Sequence, residues 1–152
     1  MQHALLNNAA IDLLEAGHSH EAAAGFRAVI SLAPLSSEAY YNLGIAFKDQ
    51  QRNQDSVSAY LAALSLRPAF PEAHFNVGRA LQMMTDDPGP RGLLHDHDLR
   101  TAALQRAARH FRRSARPGKR GSDAYRSLEE VCWQSSPRMP CTGNIRPLHL
   151  CV

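Results

Sequence analysis

A spacing of 34 residues constrains this chain more than any other feature. The segment SEAYYNLGIAF, which begins at Ser37, is followed 34 residues later by PEAHFNVGRAL, which begins at Pro71. Matched pairs at this offset are Ala39 and Ala73, Asn42 and Asn76, Gly44 and Gly78, Phe26 and Tyr60, and Pro34 and Pro68. A fixed period with small residues and prolines in register predicts an all-α array of helix–turn–helix units.

The composition is that of an ordinary soluble domain, with 152 residues, 44% hydrophobic and 20% charged. No apolar run approaches the roughly 18 residues that a membrane span needs, and the N-terminal segment does not resemble a signal peptide. The three cysteines lack CxxC spacing, so we expect reduced thiols. These features predict a cytoplasmic or nuclear protein without a membrane partner. The start close to the first repeat and the abrupt tail favour a fragment, a short isoform or a truncated gene product.

Each unit is predicted to be a pair of helices, and its residues are numbered here from position 1 to position 34. In the first repeat, residues 3–36, Ala4–Ala16 and Ser19–Leu32 carry apolar residues at helical spacing. Gly17 is expected to end the first helix in the left-handed conformation, and Pro34 closes the unit. The residues expected on the buried side are Leu6, Ala9, Ala10, Leu13, Leu14, Ala22, Phe26, Val29 and Ile30.

The second repeat, residues 37–70, carries the pattern most completely. We expect Ser37 to be the N-cap of its first helix, and small residues at Gly44 and Ser56 to let its two helices approach closely. The residues that follow the pattern are Tyr40, Leu43, Gly44, Phe47, Ser56, Tyr60, Ala63 and Pro68. This pattern resembles that of the tetratricopeptide repeat family, and the resemblance implies a right-handed superhelical solenoid that binds other proteins.

The third repeat, residues 71–121, begins regularly and is then interrupted. Ala107 and Phe111 stand four residues apart, as positions 20 and 24 do, and Tyr125 follows Phe111 at the spacing expected for the next repeat. The extra residues predict an insertion at about residues 85–101, which a fold of this kind tolerates because loop closure costs grow slowly with length. A capping helix is predicted at 122–134, with Ala124, Leu128 and Val131 on its buried side and Arg126, Glu129 and Glu130 facing water, and a disordered tail at 135–152.

A row of asparagines is the main candidate binding site. Asn8, Asn42 and Asn76 all occupy position 6. The family resemblance places position 6 on the concave side, where amides can bind the backbone of an extended peptide. The same row is similar to that in the repeat arms of O-linked N-acetylglucosamine transferases, which gives an alternative hypothesis: a substrate-selecting arm without its catalytic domain. Ser127 takes position 6 in the partial fourth repeat and shortens the row.

A two-carboxylate clamp, with which some members of this family hold acidic C-termini, is not expected here. Such a clamp needs a lysine at position 5 of one repeat, and cations at positions 2 and 6 of a later repeat. The chain has Asn7, Glu72 and Asn76 at those places. Glu72 would repel a carboxylate.

A basic patch is predicted on the second helix of the third repeat. From Arg100 to Arg126 there are eight arginines and one lysine against a single acid, Asp123. The exposed members predicted for the patch are Arg106, Arg109, Arg112, Arg113 and Arg116. Phe111 is assigned to the core and is not free to stack on bases, so a nucleic-acid adaptor is the weaker hypothesis, while an acidic protein partner or nuclear targeting stays open.

No residue pattern predicts catalysis, a metal site or a cofactor. His95, Asp96, His97 and Asp98 lie in a Gly/Pro-rich insertion that offers little preorganisation for a metal. The GKR at residues 118–120 lacks the other elements of a phosphate loop, and we expect His74 to pack between helices. The sequence therefore predicts a non-enzymatic module whose partner is a protein or peptide.

Overall fold

The computed structural model of the 152-residue chain describes residues 2–86, 97–114, 123–124, 126–127 and 130–131. These residues form six helices: α1 (Gln2–Glu15), α2 (Ser19–Leu32), α3 (Ser37–Asp49), α4 (Asn53–Leu66), α5 (Pro71–Asp86) and α6 (His97–Ser114). The described residues between 123 and 131 are also helical and are called the capping segment. No strand occurs in these ranges, and each of the six helices packs against the next along the chain. The all-α solenoid is confirmed.

An aromatic ring lies directly over a glycine in two of the helix pairs. A Cβ atom on Gly44 would lie 2.5 Å from the ring of Tyr60, and one on Gly78 would lie 2.7 Å from the ring of Phe111. Both rings are completely buried. The predicted close approach at Gly44 is confirmed, because only a residue without a side chain leaves room for the ring.

The first repeat solves the same packing problem differently. Its position 8 holds Ala10, and the space for the Ala10 methyl comes from Gly25 on the facing helix. A Cβ atom on Gly25 would lie 2.8 Å from the Ala10 Cβ. Phe26 still fills the place of Tyr60 and is fully buried. One small residue at the crossing is therefore needed, but either helix can supply it.

The turns of the first two repeats have the same geometry. Gly17 has φ +83°, as predicted, and Gln51, at the same position of the second repeat, has φ +58°. After these residues, the amides of His18 and Arg52 donate to the Leu13 and Phe47 carbonyls, both at 2.9 Å. These bonds satisfy carbonyl groups that the end of a helix leaves without partners.

Two helix starts differ from those predicted, and one is confirmed. α1 begins at Gln2, two residues before the predicted start, and the N-cap of α3 lies one residue early, whereas α2 begins at Ser19 as predicted. Ser36, rather than Ser37, is the N-cap of α3, and its hydroxyl accepts a hydrogen bond from the Ala39 amide at 3.2 Å. Ser37 is the first helical residue and is buried. Two adjacent serines can both act as caps in a sequence pattern, and only the backbone geometry selects between them.

The hairpin of the third repeat is longer than predicted. α5 continues to Asp86, and α6 begins at His97. When α4 and α6 are aligned on their buried rings, Tyr60 and Phe111, α6 begins roughly two helical turns earlier than α4 does. Gln82 and Thr85 of α5 are buried, as is Leu104 of α6. Helix therefore extends into both ends of the predicted 85–101 insertion, and residues 87–96 lie outside the described part.

One face of α1 is more exposed than the sequence predicts. Ala9 is exposed, although the equivalent residues Leu43 and Val77 are buried. Position 7 packs against the preceding repeat in α3 and α5, and no described element precedes α1. Ala10 and the residues predicted to be buried on α2, except the half-buried Ile30, lie in the core.

Candidate functional site

The three asparagines of the predicted row have different environments. Asn8 is exposed, whereas Asn42 and Asn76 are half-buried. The side-chain amide of Asn76 donates a hydrogen bond to the Tyr41 hydroxyl at 3.0 Å. This contact joins α3 to α5 and occupies one of the two amide hydrogens of Asn76.

Tyr41 is the hydrogen-bond partner of Asn76, and the sequence pattern did not single it out. Its ring packs against Phe70, with centroids 4.8 Å apart, and against Tyr60, with centroids 5.6 Å apart. Burial raises the pKa of the Tyr41 hydroxyl above its usual value, although the Asn76 hydrogen bond acts in the opposite direction. The hydroxyl therefore stays protonated at neutral pH, and no described residue accepts its hydrogen.

Position 5 of one repeat faces position 6 of the next along the first helices. Tyr41 and Asn76 show this relation directly, and Phe75 and Ser127 occupy the same two positions one repeat later. Phenylalanine has no hydroxyl and serine is short, so this pair leaves space where the earlier pair is closed by a hydrogen bond. An aromatic residue at position 5 of two successive repeats is the signal that could have identified this feature.

An open cavity of about 330 Å³ lies at that place, between α5 and the capping segment. Its lining residues are Phe75, Arg79, Asp123, Arg126, Ser127 and Glu130. Asp123 and Arg126 form an ion pair at 3.0 Å. Within the described part of the chain, Arg79 and Glu130 form no ion pair. The cavity thus combines an aromatic wall with one unpaired charge of each sign.

The described residues of the capping segment have the burial that the sequence predicts. Ala124 and Val131 are buried, while Arg126 and Glu130 are exposed. Ser127 is only 7% exposed, so its hydroxyl lies at the bottom of the site and not at its rim. The side chains of Leu128 and Glu129 lie outside the described residues.

Acidic residues occupy position 2 in three successive repeats. Glu38 forms an ion pair with Arg67 at 2.9 Å, Glu72 is exposed, and Asp123 pairs with Arg126. Glu72, which forms no ion pair with a described residue, thus presents a negative charge where a carboxylate clamp needs a cation. The geometry is consistent with the exclusion of such a clamp.

His74 is buried between α5 and α6, as predicted, and it contacts a second histidine. His74 Nε2 lies 2.9 Å from the Pro68 carbonyl oxygen, and its Nδ1 lies 3.0 Å from Nδ1 of His110. A carbonyl can only accept, so Nε2 of His74 carries a hydrogen. The contact between the two Nδ1 atoms needs one donor and one acceptor, and the His74 tautomer with its single hydrogen on Nε2 can only accept there from Nδ1–H of His110. Burial, followed by His74, Arg113 and Arg106, lowers the pKa of His110 to about 4.

The described residues of the basic patch lie on α6, whereas the asparagine row lies on α1, α3 and α5. Arg106, Arg109 and Arg113 are exposed on α6, Arg112 is half-buried and has a partner, and Arg116 lies outside the described residues. Phe111 is fully buried. The patch therefore offers charge without an aromatic ring.

Other sites considered in the sequence have no support in the described residues. No group of three or more His, Cys, Asp or Glu side chains there is arranged to hold a metal. The side chains of His95, Asp96, His97 and Asp98, and residues 118–120, lie outside that part. In the ranges that the structure covers, no helix has the length and apolar character needed to cross a membrane.

Comparison with known proteins identifies the repeats. Residues 7–69 and 42–81 match the sequence model of the tetratricopeptide repeat. No curated protein matches the chain. The first tetratricopeptide domain of Spaghetti (RPAP3), bound to the HSP90 peptide SRMEEVD, has a TM-score of 0.69 and 14% identity, covering 87% of this chain and 91% of that chain.

Two further solved structures share the fold. The translocator chaperone SycD of Yersinia enterocolitica type III secretion has a TM-score of 0.64 and 15% identity, covering 88% of this chain and 85% of that chain. The Sgt2 tetratricopeptide domain of Aspergillus fumigatus has a TM-score of 0.64 and 17% identity, covering 95% and 89%. Residues 7–81 are therefore tetratricopeptide repeats, in a helical array that continues through α6.

Proposed function

We propose that the chain is a non-catalytic interaction module that binds an extended peptide or a partner helix along α1, α3, α5 and the capping segment. The observation that carries this proposal is the 330 Å³ cavity between α5 and the capping segment. It lies one repeat beyond the Tyr41–Asn76 contact, at the equivalent positions 5 and 6, which supports the inference that the polar row and the cavity belong to one groove. The neighbours in the comparison include one bound to an HSP90 peptide and one in complex with a translocator peptide.

The groove provides both donors and an apolar contact for a peptide. Asn42 offers a half-exposed amide, and the Tyr41 hydroxyl, which already accepts from Asn76, still has its own hydrogen to donate. A peptide backbone carbonyl is a suitable acceptor for both. Phe75 supplies an apolar wall on which one side chain of the peptide can pack.

The charges in the groove indicate which peptides it accepts. Arg79 and Glu130 line the cavity without ion pairs to described residues, so a partner with a polar or oppositely charged pair beside its apolar anchor fits both. Glu72 disfavours a peptide that ends in several carboxylates. The HSP90 peptide SRMEEVD is accordingly expected to bind the chain weakly or not at all.

Peptides selected from a random displayed library on the full chain test this proposal. The double variant Asn42→Ala with Asn76→Ala should weaken their binding at least tenfold, about 1.4 kcal/mol, with unchanged helicity. Its stability should fall by only about 0.5–1.5 kcal/mol, because the Asn76–Tyr41 hydrogen bond is lost, so affinities are compared at a temperature where both proteins are folded. The hydrogen bond from Asn76 orients the Tyr41 hydroxyl, which is the group proposed to donate to the peptide. The variant Tyr41→Phe, which lacks that hydroxyl, should therefore reproduce part of the loss in affinity. Fluorescence anisotropy measures the affinity, and circular dichroism monitors the fold.

A matched control lies on the outer surface. Ser58→Ala on α4 is exposed and far from the first helices in the repeat pattern, so it should leave the affinity unchanged. Equal affinity of the wild type and the Asn42/Asn76 variant for every selected peptide would show that the groove is not the binding site. Tight binding of SRMEEVD would contradict the expectation that Glu72 disfavours peptides that end in several carboxylates.

A role as the substrate-selecting arm of an O-linked N-acetylglucosamine transferase-like enzyme is a second proposal. It rests on the asparagines at position 6, of which Asn8 and Asn42 present accessible amides. Reading the genomic sequence downstream of residue 134 in every frame tests it. A glycosyltransferase region there would support this role, and its absence would leave the interaction module alone.

A further inference from the structure

A row of three arginines on α6 is not explained by the fold. Arg109 and Arg113 follow Arg106 by three and seven residues, so the three side chains lie on one side of the helix over about 10 Å. All three are exposed, and none forms an ion pair with a described residue. The buried side of α6 consists of Leu104, Ala107 and Phe111, and it needs no arginine opposite it.

The other two repeats provide an internal comparison for this row. When the helices are aligned on the buried rings of Phe26, Tyr60 and Phe111, the equivalent residues are Glu21, Ala24 and Ala28 in α2, and Asp55, Ser58 and Ala62 in α4. The same packing is therefore achieved with an acid and two small residues. Three cations that form no ion pair with a described residue, on α6 and not on α2 or α4, indicate a requirement other than folding.

The row also acts on its surroundings. Arg113 and Arg106 both contribute to the lowered pKa of His110, after burial and His74. His110 lies on α6 between them and faces His74 of α5. The arginines thus create a positive potential at this surface that no described acid offsets.

We propose that the exposed face of α6, formed by Arg106, Arg109 and Arg113, is a second interaction surface that binds an acidic helical segment of a protein partner. Guanidinium groups bind carboxylates through paired hydrogen bonds. Glutamates spaced three and seven residues apart on a facing helix repeat with the same rise as the arginines, so three pairs form in register. This surface is on a second helix and is independent of the groove on the first helices.

Nucleic acid is the other polyanion that such a surface attracts, and the structure favours it less. Phe111, the aromatic residue within the row, is fully buried and unavailable for base stacking. Three phosphate contacts give only modest, strongly salt-dependent affinity. A carboxylate partner with matched spacing gains geometric specificity from the same three side chains.

Binding of a designed probe tests the proposal. The probe is a labelled alanine-based helical peptide of about 15 residues with glutamates spaced three and seven apart, and the control probe carries glutamines there. The full chain should bind the glutamate peptide in low salt, and the triple variant Arg106→Ser, Arg109→Ser and Arg113→Ala should bind it at least tenfold more weakly. Ser and Ala are the residues that α4 holds at two of these places, so the variant should fold.

A charge-matched variant separates the row from the net charge of the chain. Arg27→Ser, Arg52→Ser and Arg67→Ser remove three positive charges from other parts of the array and should leave the affinity within about twofold. A second readout is His110: bound glutamates offset the arginine charges, so its imidazole pKa, followed by NMR, should rise on binding in the wild type and not in the triple variant.

The outcomes are distinct. No binding of the glutamate peptide, equal binding by the triple variant, or equal loss in the charge-matched variant would each overturn the proposal. Tighter, row-dependent binding of a single-stranded oligonucleotide of equal charge would assign the surface to nucleic acid instead. Unchanged peptide binding in the Asn42→Ala and Asn76→Ala variant would support the independence of the two surfaces.

Discussion

The second and third repeats share a core and differ around it. In both, an aromatic ring fills the space above a glycine: Tyr60 above Gly44, and Phe111 above Gly78. The second repeat has a short turn with Gln51 in the left-handed region, whereas the third has a longer hairpin. At the position of Ala59 in α4, α6 carries His110, which contacts His74.

This difference separates what the fold needs from what it merely permits. The contact between a ring and a small residue recurs because helices at this distance leave room for a large side chain only where a residue at the crossing is small. The histidine pair, the arginines and the longer hairpin occur once, and the second repeat folds without them. Features of the third repeat alone are thus the places to look for function or regulation.

The largest effect is expected from the shared contact. Gly44→Ala or Gly78→Ala places a methyl group within 2.7 Å of a buried ring, which should destabilise the protein by about 1–3 kcal/mol through overpacking. Urea unfolding measures the change. Ser58→Ala, on the exposed side of α4, should change stability by less than about 0.5 kcal/mol. Equal stability of both glycine variants and the wild type would show that the two rings are not constrained as described.

A smaller effect is expected from the histidine pair. The pKa of His110 is lowered to about 4 in the folded chain, against about 6.5 when unfolded. The unfolded state therefore binds the proton first, and stability that is present above pH 6.5 is lost as the pH falls towards 4. Because His110 is only half-buried, the loss is of the order of 1–2 kcal/mol.

A substitution taken from the second repeat isolates this effect. His110→Ala introduces the residue that α4 holds and should flatten the dependence of unfolding free energy on pH between 6.5 and 4. His20→Ala, which removes an exposed histidine of α2, should leave the dependence intact. A slope that persists in His110→Ala would assign it to other groups.

The smallest effect is expected where the second repeat can be made to resemble the third. The hydroxyl of Tyr60 is fully buried beside Ser56, and neither oxygen has a hydrogen bond of good geometry. Tyr60→Phe, the ring that Phe111 supplies in α6, should raise stability by up to about 1 kcal/mol. Thermal melting is sufficient to detect the gain. A marked loss of stability would mean that the Tyr60 hydroxyl forms a hydrogen bond in the folded protein. Tyr40→Phe, which removes the hydroxyl of a half-buried tyrosine, is the control.

Periodicity in the sequence was enough to predict the helical hairpins and most of the buried residues, because position within the repeat largely determines burial. It placed Phe111 and Val131 in the core across an interrupted stretch. It could not locate the ends of α5 and α6, because residues 85–101 have no counterpart in the other repeats. It also missed Tyr41, whose partner Asn76 lies in the next repeat, so that the contact depends on how repeats stack.

The packing of each helix against its sequence neighbours has a kinetic consequence. Apart from minor contacts between α1 and α3, the six helices pack mainly in chain order, so most native contacts are short in sequence. Chains of this low contact order fold quickly, since little loop entropy is lost before a hairpin gains its contacts. Opening can then start at either end and stop at a repeat boundary. Amide hydrogen exchange should accordingly be slowest in α3 and α4, because they form the second repeat, which has a repeat packed on each side.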